Sequence, residues 1–260
     1  GTLEDWCKFN FEDSKNNPMY AGKFYMKDSK GEYVSITELT IPNGVGVRAG
    51  GLAYLNKLQS LTIGQLGVYT LDNQVELTLA GLFGTKQYDS AYFVKVNNVT
   101  YFVPLSLTKV EVTGEARIHA YAFYGCSQIT EIILNDNISE IQDYAFAQTS
   151  ITEIILPSNL YSIGKEILSE CDNLVKVVTP FVGKEKNGSS DYHLNYFFGK
   201  KQFSGSIEND YGYYYPQTFT DIELTKKSYR FDFSYCTTLK NIILPEGITA
   251  IYENTFKGCT

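Results

Sequence analysis

One phrase recurs along this chain: a polar residue, then apolar–any–apolar, then usually a turn. It reads Glu38-Leu39-Thr40-Ile41, Ser60-Leu61-Thr62-Ile63, Lys109-Val110-Glu111-Val112 and Glu131-Ile132-Ile133-Leu134. It returns as Glu153-Ile154-Ile155-Leu156, Lys176-Val177-Val178, Asp221-Ile222-Glu223-Leu224 and Asn241-Ile242-Ile243-Leu244. Leu39 to Leu61, Val110 to Ile132 and Ile132 to Ile154 are each 22 residues apart, and Ile154 to Val177 is 23. A unit that short cannot bury its own apolar side, so successive copies must stack. A fixed period in the low twenties therefore predicts a solenoid. Parallel strands in neighbouring rungs would lie ~4.8 Å apart, forming a continuous apolar seam. The Ile and Val content of that seam agrees with strand propensity.

A full repeat can be written from residues 129 to 150. Ile129-Thr-Glu-Ile132-Ile-Leu134 is a strand, Asn135-Asp136-Asn137 its exit turn, Ile138 and Ile141 a second apolar segment, and Tyr144-Ala145-Phe146 a single helical turn. The next copy uses Pro157-Ser158-Asn159 as the turn, then Leu160 and Ile163, then Ile167-Leu168; the last uses Pro245-Glu246-Gly247, Ile248, Ile251 and Thr255-Phe256. Pro fixes φ and removes a donor where a strand ends, while Gly permits positive φ. The most economical such unit is of leucine-rich-repeat type.

The period breaks twice, with gaps of 49 residues from Leu61 to Val110 and 45 from Val177 to Ile222. The gaps look alike. Leu82-Phe83-Gly84-Thr85-Lys86 matches Phe197-Phe198-Gly199-Lys200-Lys201, and Tyr101-Phe102-Val103-Pro104 matches Tyr214-Tyr215-Pro216. The chain thus carries a larger duplication of about 110 to 116 residues, each half holding regular rungs and one long excursion.

Four of the five cysteines, Cys126, Cys171, Cys236 and Cys259, occupy one repeat slot, three residues after Phe123, Leu168, Phe233 and Phe256. Leu55 fills the same slot between Leu52 and Leu58. A slot that takes Leu or Cys is a core slot for a buried thiol. No CxxC or His-rich cluster offers zinc spacing, so no metal and no cofactor is expected. A net charge of −7 argues against nucleic acid and against anionic membrane surfaces. No run of 18 apolar residues spans a bilayer. A chain beginning at Gly1 is compatible with a secretion signal upstream.

Two phrases resemble the BspA-like leucine-rich repeats of bacterial surface proteins: Ala120-Tyr-Ala-Phe-Tyr-Gly-Cys126-Ser-Gln-Ile-Thr-Glu-Ile-Ile-Leu134, and Leu239-Lys-Asn-Ile-Ile-Leu-Pro-Glu-Gly-Ile-Thr-Ala-Ile251 continuing to Phe256-Lys-Gly-Cys259. The stretch from Asp5-Trp6-Cys7 to Asn17-Pro18 and on through Thr37 to Gly44 resembles a segment recurrent in large members of that family, and the Phe-Gly inserts resemble family variants. The resemblance implies a right-handed β/α superhelix, β-rich, with a parallel sheet on its concave face, single-turn helices and two long inserts. It also implies secretion or surface display, adhesion to host proteins or cell–cell contact, and no catalytic residues. On this reading residues 1–35 form an N-terminal segment or cap, and 36–260 one continuous solenoid in two related halves, with inserts at about 64–108 and 179–220. Tyr144-Ala-Phe-Ala-Gln-Thr149 lacks the Gly-Cys, and Ile167-Leu168 replaces Ala-Phe, so local turn geometry is where departures are expected.

Other motifs reduce to the repeat. Gly44-Val45-Gly46-Val47-Arg48-Ala49 mimics a dinucleotide fingerprint, but Pro42-Asn43-Gly44 is the repeat turn and Val45 and Val47 fill the next apolar segment. Asn135-Asp136-Asn137 aligns with the other exit turns and is read as a turn, not a calcium loop. His119 and His193 lie in no HExxH or triad-like pattern, and no GxSxG or Walker A motif is present. The remaining excess is aromatic, 21 Tyr and 16 Phe. Tyr211-Gly212-Tyr213-Tyr214-Tyr215 stands apart, because it sits in an insert beside polar, Gly-containing sequence. Tyrosine offers large contact area with few rotamers and a polar tip. Tyr211, Tyr213, Tyr214 and Tyr215 are therefore the candidate ligand-binding residues, against the alternative that the insert folds back and uses them to cover the solenoid.

The expected function is a non-enzymatic, secreted or surface-displayed interaction module that binds a protein partner. The alternatives are glycan binding through the Tyr-rich insert, or a spacer within a larger cell-wall protein. The last apolar slot at Phe256 is expected to hand over to a further strand or to pack against another molecule.

Overall fold

The computed structural model describes residues 25–27, 33–66, 68–69, 75–186, 192–227 and 230–259. Most of the N-terminal segment expected over 1–35, including Trp6 and Cys7, lies outside the described residues. Two compact units are present, divided between Glu115 and Ala116.

In the first unit the recurrent phrases form a parallel ladder. Glu38–Ile41, Ser60–Ile63 and Lys109–Val112 pair so that Leu39, Leu61 and Val110 stand in register, as do Ile41, Ile63 and Val112. All six are buried, whereas Thr40 is exposed and Thr62 and Glu111 are only partly covered. The alternation follows from the two-residue period of a strand. The 49-residue gap between Leu61 and Val110 adds no strand between them. In the second unit Glu153–Ile155, Lys176–Thr179, Asp221–Leu224 and Asn241–Ile243 form a second parallel ladder, with Ile154, Val177, Ile222 and Ile242 in register. Again the long gap, from Val177 to Ile222, leaves its flanking strands adjacent.

The second apolar segment of three successive repeats builds a ladder of its own, whereas in the last repeat Ile248 and Ile251 form no strand and Ile251 is exposed. Arg117–Ile118, Glu140–Ile141 and Ser162–Ile163 pair in parallel, which buries Ile118, Ile141 and Ile163 on one line. The third side departs in detail from a helical turn. Residues 144–147 close a turn (Ala147 N–H to the Tyr144 carbonyl), but the amides of Tyr144, Phe146 and Gln148 donate sideways to the carbonyls of Lys165, Ile167 and Ser169 in the next rung. Tyr121, Phe123 and Gly125 donate in the same way to Asp143, Ala145 and Ala147. Such a ladder requires left-handed residues at its corners: Tyr121, Tyr144 and Glu166 at one, Gly125, Gln148 and Glu170 at the other, with φ between 56° and 72°. Each non-glycine residue in that region costs about 1–2 kcal/mol, which the sideways hydrogen bonds offset. Gln148, where the sequence lacks its glycine, keeps the same geometry as Gly125.

The core runs inside these three sides. Phe123 packs against Phe146 at 5.7 Å, and Phe233 stacks on Phe256 at 5.8 Å. Cys126, Cys171 and Cys236 are wholly buried, and Leu55 nearly so, as a shared core slot requires, but Cys259 in the last repeat is only partly covered. Burial pushes the Cys171 thiol up to about 11 and the Cys236 thiol up to about 12. Where the cysteine is missing, Thr149 takes its place. Its hydroxyl donates to the Phe146 carbonyl at 2.8 Å, which satisfies the buried oxygen.

The inserts differ most from expectation, because each begins by completing the wall of a rung. In the first, Leu79–Phe83 is a short α-helix capped by Thr78, whose Oγ1 accepts from the Gly81 amide at 3.1 Å. The Gly50 and Leu52 amides donate to Gly81 and Leu82 carbonyls. In the second, Leu194–Phe197 is a 3₁₀ turn that receives the Glu166 and Leu168 amides on the carbonyls of Tyr196 and Phe197. Phe83, Phe197 and Phe198 are fully buried. A Cβ on Gly84 would stand 2.8 Å from the Gly50 Cα, and one on Gly199 would stand 2.7 Å from both Glu166 Oε2 and Ser169 Oγ. The approach to backbone, at φ 79°, explains the glycine after phenylalanine in the first insert, whereas in the second the neighbours are side-chain atoms.

Candidate functional site

The Tyr-rich segment closes an antiparallel hairpin, Ser206–Glu208 with Tyr214–Pro216, whose loop is residues 209–213. Asn209 is the anchor of that loop. Its Oδ1 accepts the backbone amides of Tyr211 and Tyr213, both at 3.0 Å. Those two donors fix which end of the side chain is the nitrogen. Nδ2 then donates to Asn195 Oδ1 at 2.9 Å and to the Tyr215 hydroxyl at 3.1 Å. A buried amide using all four of its valences makes a stiff loop. Gly212, with φ 74°, supplies the left-handed corner.

The four candidate tyrosines separate. Tyr215 is 2% exposed, its ring 4.7 Å from Phe198 and its hydroxyl shared by Asn209 and the Cys236 thiol. Burial pushes its pKa well above the ordinary phenol value. It is a core residue and is withdrawn from the candidates. Tyr214 donates its amide to the Gly199 carbonyl, and its side-chain hydrogen bond to Glu208 raises its pKa. Tyr211 is 49% exposed and meets Tyr235 edge-on at 4.9 Å, while Tyr213 carries the Lys200 ammonium 4.9 Å from its ring centroid. Tyr211 and Tyr213 line an open cleft of about 360 Å3 together with His193, Asn195, Tyr196 and Lys200. The insert therefore both covers the core and presents a concave surface.

Sequence reasoning did not bring His193 here. Its Nδ1 lies 2.8 Å from Asp232 Oδ2, and the Leu194 amide donates to the Asp232 carbonyl. Burial works to raise the Asp232 pKa, but hydrogen bonds from His193 and Ser234 outweigh it and hold the carboxyl below its ordinary value. The pair stands 39 positions apart and gave no local signal; only the insert's position as a rung beside residues 231–235 joins them.

The other motifs stay structural. Asn135 Oδ1 accepts the Asn137 amide at 2.8 Å in the exit turn, and the Val45 amide closes a turn on Pro42 with no helix opening on Gly44. Among the described residues no cluster of three metal-ligating side chains occurs, and no helix is long and apolar enough to cross a membrane.

A model of the BspA type leucine rich repeat region matches six copies, over residues 95–188 and 206–260, more than half of the chain. This chain belongs to the BspA-type leucine-rich-repeat family. Its fold is a strand-rich leucine-rich-repeat solenoid with parallel sheets and few helices. Among solved structures the BspA-type chain is similar to a leucine-rich repeat protein of Eubacterium ventriosum, at 17% identity and TM-score 0.39 over 86% of this chain and 59% of that one. It is also similar to a leucine rich cell surface protein of Faecalibacterium prausnitzii, at 20% identity and TM-score 0.33 over 86% and 70% of the two chains. The pneumococcal vaccine antigen PcpA is similar at 13% identity and TM-score 0.37, over 89% and 69%. The chain thus spans 59% of the first of these structures. A comparison with curated protein sequences finds no match.

Proposed function

We propose that this chain is a non-enzymatic interaction module, displayed on or secreted from a bacterial cell, that binds a protein partner through the face of its second-unit ladder. The observation that carries this reading is a set of outward isoleucines. Ile155 is 61% and Ile243 53% exposed, in register with each other through Val178 and Glu223, and Ile133 occupies the same repeat position on its own strand. The charges beside them are already paired. Lys176 Nζ lies 3.1 Å from Glu153 and 3.7 Å from Glu223, and Asn241 donates to Asp221 at 2.7 Å. What the face leaves unsatisfied is therefore apolar surface, which a protein partner removes from water at about 25 cal/mol per Å2. The corresponding positions of the first unit are Thr40, Thr62 and Glu111, and Thr62 bonds Glu111.

The test is a binding array of extracellular-matrix proteins and glycans probed with the whole chain and with Ile155→Lys/Ile243→Lys. A hit lost in the double variant supports the reading, and a hit retained in full overturns it. Silence on every protein and glycan leaves the spacer reading in its place.

A second reading, carbohydrate binding by the insert, is favoured by one observation: Tyr211 and Tyr213 stand together in a concave cleft. It predicts glycan binding that falls on Tyr211→Ala/Tyr213→Ala. Tyr214 and Tyr215 take no part.

A further inference from the structure

We infer that the cleft beside Tyr213 binds a carboxylate-bearing sugar, with the pyranose against Tyr211 and Tyr213 and the carboxylate between Lys200 and Asn195; this rests on the carbohydrate reading above and names its ligand class. Asn195 is 6% exposed and yet lines the cleft. Its Oδ1 is occupied by Asn209 Nδ2, whose own orientation is set by the Tyr211 and Tyr213 amides. The Asn195 Nδ2 therefore points away from that bond and has no hydrogen-bond acceptor among the described residues. An amide nitrogen that lines an open cleft and donates to no other group is a ready donor to a ligand.

Lys200 is the cationic counterpart. It lines the same cleft and has no carboxylate partner among the described residues, and its ammonium is steadied over the Tyr213 ring. Its neighbour Lys201 is spent on Glu170 at 2.8 Å, and Asp232 is held by His193. One ammonium and one amide N–H match the two oxygens of a carboxylate. The aromatic walls match the C–H face of a pyranose, and they are pre-organised, because Asn209 pins the loop and Tyr235 supports Tyr211.

Size separates this ligand from a protein. A cleft of about 360 Å3 bounded by six side chains is on the scale of small-ligand sites, ~300–1,000 Å3. A stable protein interface buries roughly 1,200–2,000 Å2 in total.

The test is calorimetric titration of the whole chain with the methyl glycosides of glucuronic, galacturonic and N-acetylneuraminic acids, their neutral counterparts, and acetate. At least one acidic glycoside is expected to bind roughly tenfold or more tightly than its neutral counterpart. Lys200→Gln, at an exposed position that should leave Tm unchanged, brings it down to the neutral level. Tyr211→Ala weakens both. Equal binding of acidic and neutral sugars, indifferent to Lys200→Gln, overturns the acidic class while the carbohydrate reading stands. Acetate competing as well as the sugars reduces the cleft to an anion site and overturns the proposal. Binding of none of these probes overturns both it and the carbohydrate reading, and leaves the sheet-face proposal untouched.

Discussion

The two inserts share a frame and differ in one loop. In the first, the Phe102 amide donates to Gly84, the Leu105 amide to Ser90, and Ser106 Oγ to the carbonyls of Asn56 and Leu58. In the second, Tyr214 donates to Gly199, Gln217 to Gly205, and Thr218 Oγ1 to Asp172 and Leu174. Yet the first hairpin, Ala91–Val96 with Val99–Pro104, turns on Asn97 and Asn98 alone, both at positive φ, as a tight right-twisted hairpin requires. The second spreads its connection over residues 209–213 and hangs Tyr211 and Tyr213 from Asn209. The frame is a structural part used twice. Three extra loop residues separate a plain turn from a lined cleft.

The shared part should break alike in both inserts. Phe83→Ala and Phe198→Ala each remove a fully buried ring and should each cost about 3–5 kcal/mol in urea unfolding. A loss confined to one would show that the inserts do different structural work. The glycines sharpen the contrast. Gly84→Ala meets the Gly50 backbone at positive φ and should cost about 2–4 kcal/mol. Gly199→Ala meets only the ends of Glu166 and Ser169, which can swing away, and should cost about 1 kcal/mol.

The loops should break differently. Asn209→Ala strands four hydrogen-bonding groups and should cost about 1–3 kcal/mol, with faster exchange of the Tyr211 and Tyr213 amides. Asn97→Gly, at a turn that glycine suits, should stay within about 0.5 kcal/mol. Smallest is a pH effect where the second insert meets Asp232. The folded Asp232 carboxyl lies below its ordinary value, so its contribution is present above the unfolded pKa and lost as pH falls through the folded one. Stability should decline as pH drops below about 4, and Asp232→Asn should flatten that slope. An unchanged slope would dissolve the His193–Asp232 pair as a stabilising contact.

Periodicity made the scaffold legible. Every recurrent phrase is a strand, and Ile118, Ile141 and Ile163 form the second ladder, because burial on one side of a strand must appear as alternation in the sequence. The third side was legible only as apolar slots. Its backbone is set by sideways hydrogen bonds that hold Tyr, Glu and Gln at φ values their side chains disfavour, and no local propensity announces that. The inserts read as excursions for the same reason: residues 79–83 and 194–197 take their places by pairing with rungs far off in sequence.

The order of the tyrosines shows where the boundary lies. Composition and position singled out Tyr211, Tyr213, Tyr214 and Tyr215 as one run, since neighbours in sequence share a local context. The hairpin sends Tyr215 into the core beside Phe198 and Cys236 and leaves Tyr211 and Tyr213 on the cleft, and it supplies Asn195, Lys200 and His193 from another part of the insert. The sequence alone determined the repeat, the strands and the buried thiols, because those depend on which residues can be covered by the next copy of the same unit. Only the tertiary structure decided the cleft and the His193–Asp232 pair, because both are made by side chains that approach through folding of the insert, at separations that follow no period.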